Sequence, residues 1–314
     1  MTTKIFIDGE VGTTGLQIRE RLETRSDLTL ISLGEDRRKD INARKDALNA
    51  ADVAILCLPD EAARESVSLI ENASTRVIDA STAHRTAPGW TYGFAEMDRD
   101  QTKAIAGARF VANIGCWPLG LIATMRPLIA AGLLPADYPV TYSGISGYSG
   151  GGKAMIADYA KMGAKAPQFI PYALTFGHKH LPEMTLYGTL ARDPLFVPAV
   201  GDYYKGMLTV LPLQLGALDI VPKGADIHAA LADHFTAIPG SFVRLAPLLD
   251  VARMAEIEPE ANNGNNWLTL YVCASDARAQ VAVIAVYDNL GKGASGGAVQ
   301  NLNLMIGADP ATGL

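Results

Sequence analysis

"KIFIDGEVGTTGLQIRERL", residues 4–22, reads as a strand, a glycine turn and a helix. "KIFID" is short and apolar. Leu16, Ile18 and Leu22 then recur at helical spacing with charges between them. The glycines of the turn are Gly9, Gly12 and Gly15, a GxxGxxG spacing rather than the commoner GxGxxG. The physics is the same for both. Glycine lets the backbone approach a pyrophosphate, and the helix N-terminus offers free N–H groups and the positive end of its dipole. Thr13 and Thr14 add hydroxyl donors. A plain strand–helix turn with glycines kept for packing has a similar composition. The position of this turn at the head of a series of strands and helices favours dinucleotide binding.

Outward from this stretch the alternation continues. "LTLISL" (28–33), "DVAILCLP" (52–59) and "RVIDAS" (76–81) read as strands, and "EAARESVSLIEN" (61–72) as a helix. The unbroken apolar run in "DVAILCLP" marks a strand buried on both faces of a parallel sheet. Together these predict an α/β Rossmann domain. After residue 116 the texture changes. A helix is expected over 118–134, and "VTYSGISGYSGGGK" (140–153) runs from a strand into a glycine- and serine-rich loop. Strand-like segments then follow at 206–218, 241–248, 266–275 and 279–289. This predicts a second, α+β domain with a large mixed or antiparallel sheet. "SGGAVQNLNLMIG" (295–307) closes the chain as a helix with Val299, Leu302 and Ile306 on one face, suited to packing back on the first domain.

The second strand ends in "LGEDRRKD" (33–40). Glu35 and Asp36 are spaced to meet an NAD ribose, whereas Arg37, Arg38 and Lys39 suit the 2′-phosphate of NADP. A solvated charged loop has the same composition; the balance leans to NADP.

The 314 residues suffice for two ordinary domains with a sizeable core. A net charge of −6 argues against a nucleic-acid partner. No apolar run approaches the roughly 18 residues of a membrane span. The start, Met1-Thr2-Thr3-Lys4-Ile5-Phe6, lacks a signal peptide's basic and apolar regions, so the cytoplasm is the expected compartment. Three cysteines without a CxxC pair argue against a disulfide framework or a structural zinc cluster.

Cys57 and Cys273 sit in strand-like runs and read as small packing residues. Cys116 differs. In "NIGCWPLG" (113–120) it stands between Gly115 and a Trp-Pro pair, at the start of a helix. There the dipole favours the thiolate, which is the nucleophile. A tight-turn cysteine without chemistry is the alternative. Of the five histidines, His228 and His234 fall in an ordinary surface helix. "FGHKHLPEM" (176–184) is more pointed, placing His178 and His180 on one side of an extended segment with Glu183 close behind. No further metal ligand set accompanies them, so no metal is expected, and an acid/base histidine oriented by a carboxylate fits better.

Taken in order, "GEVGTTG", "IDASTAHR", "YGFAEM", "NIGCWP", "SGISGYSGGGK", "HKHLPEM" and "KGASGGAVQNLNLMIG" resemble the N-acetyl-γ-glutamyl-phosphate reductases of the semialdehyde dehydrogenase group, over the full length and in their shorter form. The resemblance implies an NADP-binding Rossmann domain from residues 1–115 with 290–314, and a catalytic and dimerisation domain over 116–289. It implies Cys116 as nucleophile and His180 as acid/base, with His178 and Glu183 in support. Asn289 and Gly293 are implied near the nicotinamide, and Arg85 and Lys153 as candidates for the substrate phosphate. An acyl-phosphate substrate and a homo-oligomer, dimer or tetramer, are the implied partners. The alternatives are an aspartate-semialdehyde or amino-adipyl semialdehyde dehydrogenase, or a non-catalytic NADP-sensing regulator. A sensor has no need of an acid/base pair beside its cysteine.

Overall fold

The computed structural model describes residues 2–250 and 257–314, which form two compact units. The first holds residues up to 95, 100–115 and 294–314; the second holds 96–99 and 116–293.

The first unit is built on strands β1 (Thr3–Asp8), β2 (Leu28–Ile31), β3 (Val53–Leu56), β4 (Arg76–Asp79), β5 (Thr91–Gly93) and β6 (Phe110–Asn113). They lie in the order β2-β1-β3-β4-β6-β5, all parallel. Helices α1 (Thr13–Leu22), α2 (Ile41–Ala50), α3 (Asp60–Ser68) and α4 (Gln101–Gly107) connect them. The two-residue period of a strand sends neighbouring side chains to opposite faces, and both faces are covered. Ile5 and Ile7 meet Ile18 and Leu22 of α1, Ile105 of α4, and Val299, Leu302 and Met305 of the C-terminal helix (Gly296–Ile306). Phe6 points the other way, into Ala47 and Leu48 of α2 and Ala63 of α3. Each buried aliphatic side chain contributes about 1.5–3 kcal/mol relative to exposure. On α1 the buried stripe is Gly15, Ile18 and Leu22, whereas Leu16 is exposed. The helix starts at Thr13, inside the expected turn, and this start sets which face looks inward.

The second unit has helices α5 (Cys116–Ala130), α6 (Gly152–Met162), α7 (Leu181–Tyr187) and α8 (Gly224–Thr236). Its strands are β7 (Thr141–Gly147), β8 (Phe169–Pro171), β9 (Leu195–Gly201), β10 (Met207–Gln214), β11 (Val243–Leu245), β12 (Leu249–Asp250), β13 (Leu268–Ser275) and β14 (Gln280–Tyr287). They form a mixed sheet in the order β11-β13-β14-β10-β7-β9-β8, with β12 pairing with β13. α5 and α8 cover one face, and Leu211, Leu213, Val272 and Val283 are buried among the sheet residues. On the opposite face Val210 pairs with Ile284, Pro212 with Ala282, and Tyr271 with Ile284, all half-buried or exposed. Cys273 lies on that same open face rather than in a core, while Cys57 packs against the core of the first unit.

Residues 96–99 join the second unit through buried charges. Lys292 Nζ lies 2.8 and 2.7 Å from the two carboxylate oxygens of Glu96, with both side chains almost wholly buried. The Phe242 N–H donates to the same carboxylate at 3.0 Å. Removing one partner of such a pair costs about 3–5 kcal/mol, because the other charge is left buried and uncompensated.

Candidate active site

Cys116 is the first residue of the fifteen-residue helix α5. Two buried tyrosines fix its backbone: Tyr287 Oη donates to the Cys116 carbonyl at 2.7 Å, and Tyr142 Oη to the Trp117 carbonyl at 2.9 Å. Burial pushes both hydroxyls above their ordinary range, so they remain donors. Gly293 packs directly against the cysteine; a Cβ there would lie 2.9 Å from the Cys116 Cβ. Any larger residue at 293 displaces the nucleophile or the turn that carries it. Trp117 Nε1 donates to Tyr172 Oη at 2.8 Å, and the indole meets Phe196 edge-on.

His178 and His180 are stacked, with ring centroids 5.0 Å apart. His180 Nδ1 lies 2.5 Å from Glu183 Oε1, and both side chains are buried. The spacing of three residues around the start of α7 brings the carboxylate back to the ring. A carboxylate accepts, so Nδ1 carries the proton and Nε2 is left to exchange one. His178 is held in the other tautomer, because its Nδ1 accepts the His180 backbone N–H at 3.2 Å. Burial, reinforced by His180 and Lys179, pushes His178 down to about 4, so it is a neutral Nε2–H donor at pH 7.

Cys116, His178 and His180 all line one cavity of about 330 Å³, which also takes in Lys179, Tyr172 and the glycine loop at Gly150 and Gly151. That loop is pinned from behind. Asn289 Nδ2 donates to Ser149 Oγ at 3.1 Å, and Asn289 Oδ1 accepts the Gly206 N–H at 2.8 Å. Glu183 stands behind His180 rather than in the lining. Lys153 is exposed on α6 and outside the lining; Lys179 is the cation that lines the cavity. Nothing in the sequence singles out Lys179 except its place between two histidines. Arg85, in the first unit, is buried, with Nε donating to the Asn113 carbonyl at 2.9 Å and an Nη to Ala80 at 3.1 Å. Asn113 is in turn held by Asn301, whose amide donates to it at 2.9 Å, a contact the sequence does not announce. His228 and His234 bond to backbone carbonyls of Ala246 and Glu96. Among the described residues no group of three or more His, Cys, Asp or Glu side chains is arranged to hold a metal ion.

In the first unit a second cavity of about 280 Å³ runs along the glycine turn. Gly9 has φ +90°, and a Cβ there would lie 2.4 Å from the Cys57 carbonyl oxygen. At Gly15 a Cβ would lie 2.4 Å from the Gly9 oxygen. The turn therefore holds its shape only with glycine, and α1 begins without any side-chain cap to compete with a phosphate. Arg38, Lys39 and Arg44 line this cavity; Glu35 and Asp36 do not, and the exposed Arg37 does not. Arg44, half-buried, lies 3.0 Å from Asp8 and is not evident from periodicity. Asp8 and Glu10 share this lining, paired with Arg44 and Arg19, which leaves Arg38 and Lys39 as the cations suited to a 2′-phosphate beside the close backbone approach. Alanine at both Arg38 and Lys39 is expected to raise the KM for NADPH about tenfold or more beyond that for NADH, since a charge-assisted bond contributes about 1.5–3 kcal/mol. Steady-state kinetics with both cofactors checks this; equal losses contradict it.

Residues 4–105 match the family description "Semialdehyde dehydrogenase, NAD binding domain", and 116–289 match "Semialdehyde dehydrogenase, dimerisation domain". Solved structures share the fold. The Vibrio cholerae aspartate semialdehyde dehydrogenase II complexed with ASA superposes with TM-score 0.71 at 16% identity, over 98% of each chain. The aspartate semialdehyde dehydrogenase from Francisella tularensis gives 0.73 at 15%, over 97% of this chain and 100% of that one. The two family matches make the chain a member of the semialdehyde dehydrogenases. Sequence relatives narrow the class. An N-acetyl-gamma-glutamyl-phosphate reductase of Mesorhizobium japonicum is 62% identical, covering 98% of this chain and 100% of its own. The N-acetyl-gamma-glutamyl-phosphate reductase 2 of a Nostoc species is 49% identical, covering 99% of each. The chain belongs to the N-acetyl-γ-glutamyl-phosphate reductase family.

Proposed function

We propose that Cys116, His180 and Glu183 carry the chemistry of this chain's reaction. That reaction is the NADPH-dependent reduction of N-acetyl-γ-glutamyl phosphate to N-acetylglutamate semialdehyde in arginine biosynthesis. The Cys116 thiolate attacks the acyl carbonyl, the C–O bond to phosphate breaks, and inorganic phosphate leaves behind a thioester. When bound, NADPH supplies the hydride that reduces this thioester. His180 Nε2 exchanges the proton as the resulting thiohemiacetal collapses to aldehyde and thiol, and Glu183 steadies the imidazolium. Neutral His178 donates Nε2–H to the oxyanion without carrying charge. Arg38, Lys39 and the Gly9 turn hold the cofactor's phosphates. Lys179 faces an anionic group of the substrate; Arg85, already bonded to two carbonyls, and Lys153, outside the cavity lining, are less well disposed to that task.

One observation carries this reading: a buried, carboxylate-oriented histidine opens on the same cavity as a cysteine at a helix start. Phosphate-dependent reduction of NADP in the reverse direction tests it. Turnover with N-acetylglutamate semialdehyde well above that with aspartate semialdehyde is expected; the opposite preference, or no turnover, contradicts it.

The open face of the large sheet supports a homo-oligomer. Leu208, Val210, Ala282 and Ile284 lie side by side there, half-buried, on the face opposite the buried Leu211 and Val283. Val210→Glu is expected to lower the mass measured by light scattering to that of a monomer; an unchanged mass contradicts this assignment of the interface. Among the described residues no helix is long and apolar enough to cross a membrane.

A further inference from the structure

The cavity beside Cys116 has a side that the thioester chemistry leaves unused. Tyr159, Ala166 and Val200 form a small apolar cluster, with Met155, Tyr148 and Tyr172 packed against it. Met155, Tyr159 and Val200 reach the cavity, joined by Ile170, the register partner of Val200 across β8 and β9. Met155 lies directly over Gly151, where a Cβ would come within 2.5 Å of its sulfur, so the glycine makes room for it. No Asp or Glu is among the described residues lining the cavity, and Lys179 is the one Lys or Arg among them.

A ligand entering this space meets a positive charge and an apolar wall. A free α-amino group suits it badly. Its ammonium would be desolvated without a carboxylate partner and would share the cavity with a like charge. Acylating the amine removes that charge and adds a methyl group able to use the wall. We propose that Met155, Ile170 and Val200, with the Tyr159 ring, form the subsite for the substrate's N-acyl group, and that its depth set by Met155 determines which acyl chains are accepted. The inference rests on the function proposed above.

The test is phosphate-dependent NADP reduction with N-formyl-, N-acetyl- and N-butanoyl-glutamate semialdehydes. A methylene in an apolar pocket is worth roughly 10- to 200-fold in discrimination. Wild-type enzyme is expected to favour the acetyl substrate. Met155→Ala is expected to lose roughly tenfold in kcat/KM on acetyl and gain roughly tenfold on butanoyl, mainly through KM. Val200→Ala, a smaller change, shifts the profile in the same direction and guards against a folding defect in the first variant. Acyl profiles that stay unchanged in both variants, or a uniform loss across the three substrates, overturn the subsite. A wild-type enzyme inactive on N-acetylglutamate semialdehyde removes the proposed function instead.

Discussion

Cys116→Ser is expected to lower turnover by about 10⁴-fold or more while leaving the fold and NADPH binding unchanged. A serine hydroxyl at the start of α5 has nearly the same size but does not ionise near neutrality, and an alkoxyl ester is a poorer hydride acceptor than a thioester. The other two cysteines provide the contrast. Burial, with Asp79 and Asp8 nearby, pushes the Cys57 thiol up to about 12, and burial also raises Cys273. Neither is a ready thiolate at pH 7. Cys57→Ser and Cys273→Ser should retain most of the rate, with Cys57→Ser losing stability because a hydroxyl replaces a packed thiol. Assays of the three variants beside NADPH titration decide the point; near-normal turnover in Cys116→Ser contradicts the assignment.

His180→Asn is expected to lower kcat by about 100- to 10,000-fold, the usual contribution of general acid/base catalysis. KM should move less, because the proton is exchanged in the transition state. The pH dependence separates the two histidines. His178, held near 4 by burial, stays neutral from pH 6 upward and contributes no limb there. Any limb above pH 6 in the oxidative direction that disappears in His180→Asn and persists in His178→Asn is therefore assigned to His180. Glu183→Gln keeps a hydrogen-bond acceptor but removes the charge that steadies the imidazolium, so its loss should be smaller than that of His180→Asn. His178→Asn should be milder still. A His178 variant that fails while the His180 variant works reverses the two roles.

The parts legible in the sequence are those decided locally. The glycine turn, the apolar strands and the cysteine before a proline each depend on residues within one turn or strand. The pairing of His180 with Glu183 depends on a spacing of three along the chain. Helix α2 was not evident, because its buried face is made of Ala43, Ala47 and Leu48, too small and sparse to set a period. The start of α1 at Thr13, which turns Leu16 outward, is decided by the contact of Gly15 with the Gly9 carbonyl rather than by periodicity. Lys292 and Glu96, separated by 196 positions, are brought together only by the completed fold. Lys179 and Arg44 look like ordinary surface charges until β8, α7 and β1 place them at the cavities. Among the cations after β2, the sequence offers Arg37 and Arg38 alike; Arg38 and Lys39 line the cavity at the glycine turn and Arg37 does not.

The central claim is covalent catalysis at Cys116, and the acyl-enzyme itself reports on it. Enzyme mixed with N-acetyl-γ-glutamyl phosphate in the absence of NADPH, quenched in acid and digested, is expected to carry one N-acetylglutamyl group on the peptide containing Cys116, and to lose it when NADPH is added before the quench. An adduct on the Cys57 or Cys273 peptide, or no adduct from an enzyme that turns over normally once NADPH is supplied, contradicts the account.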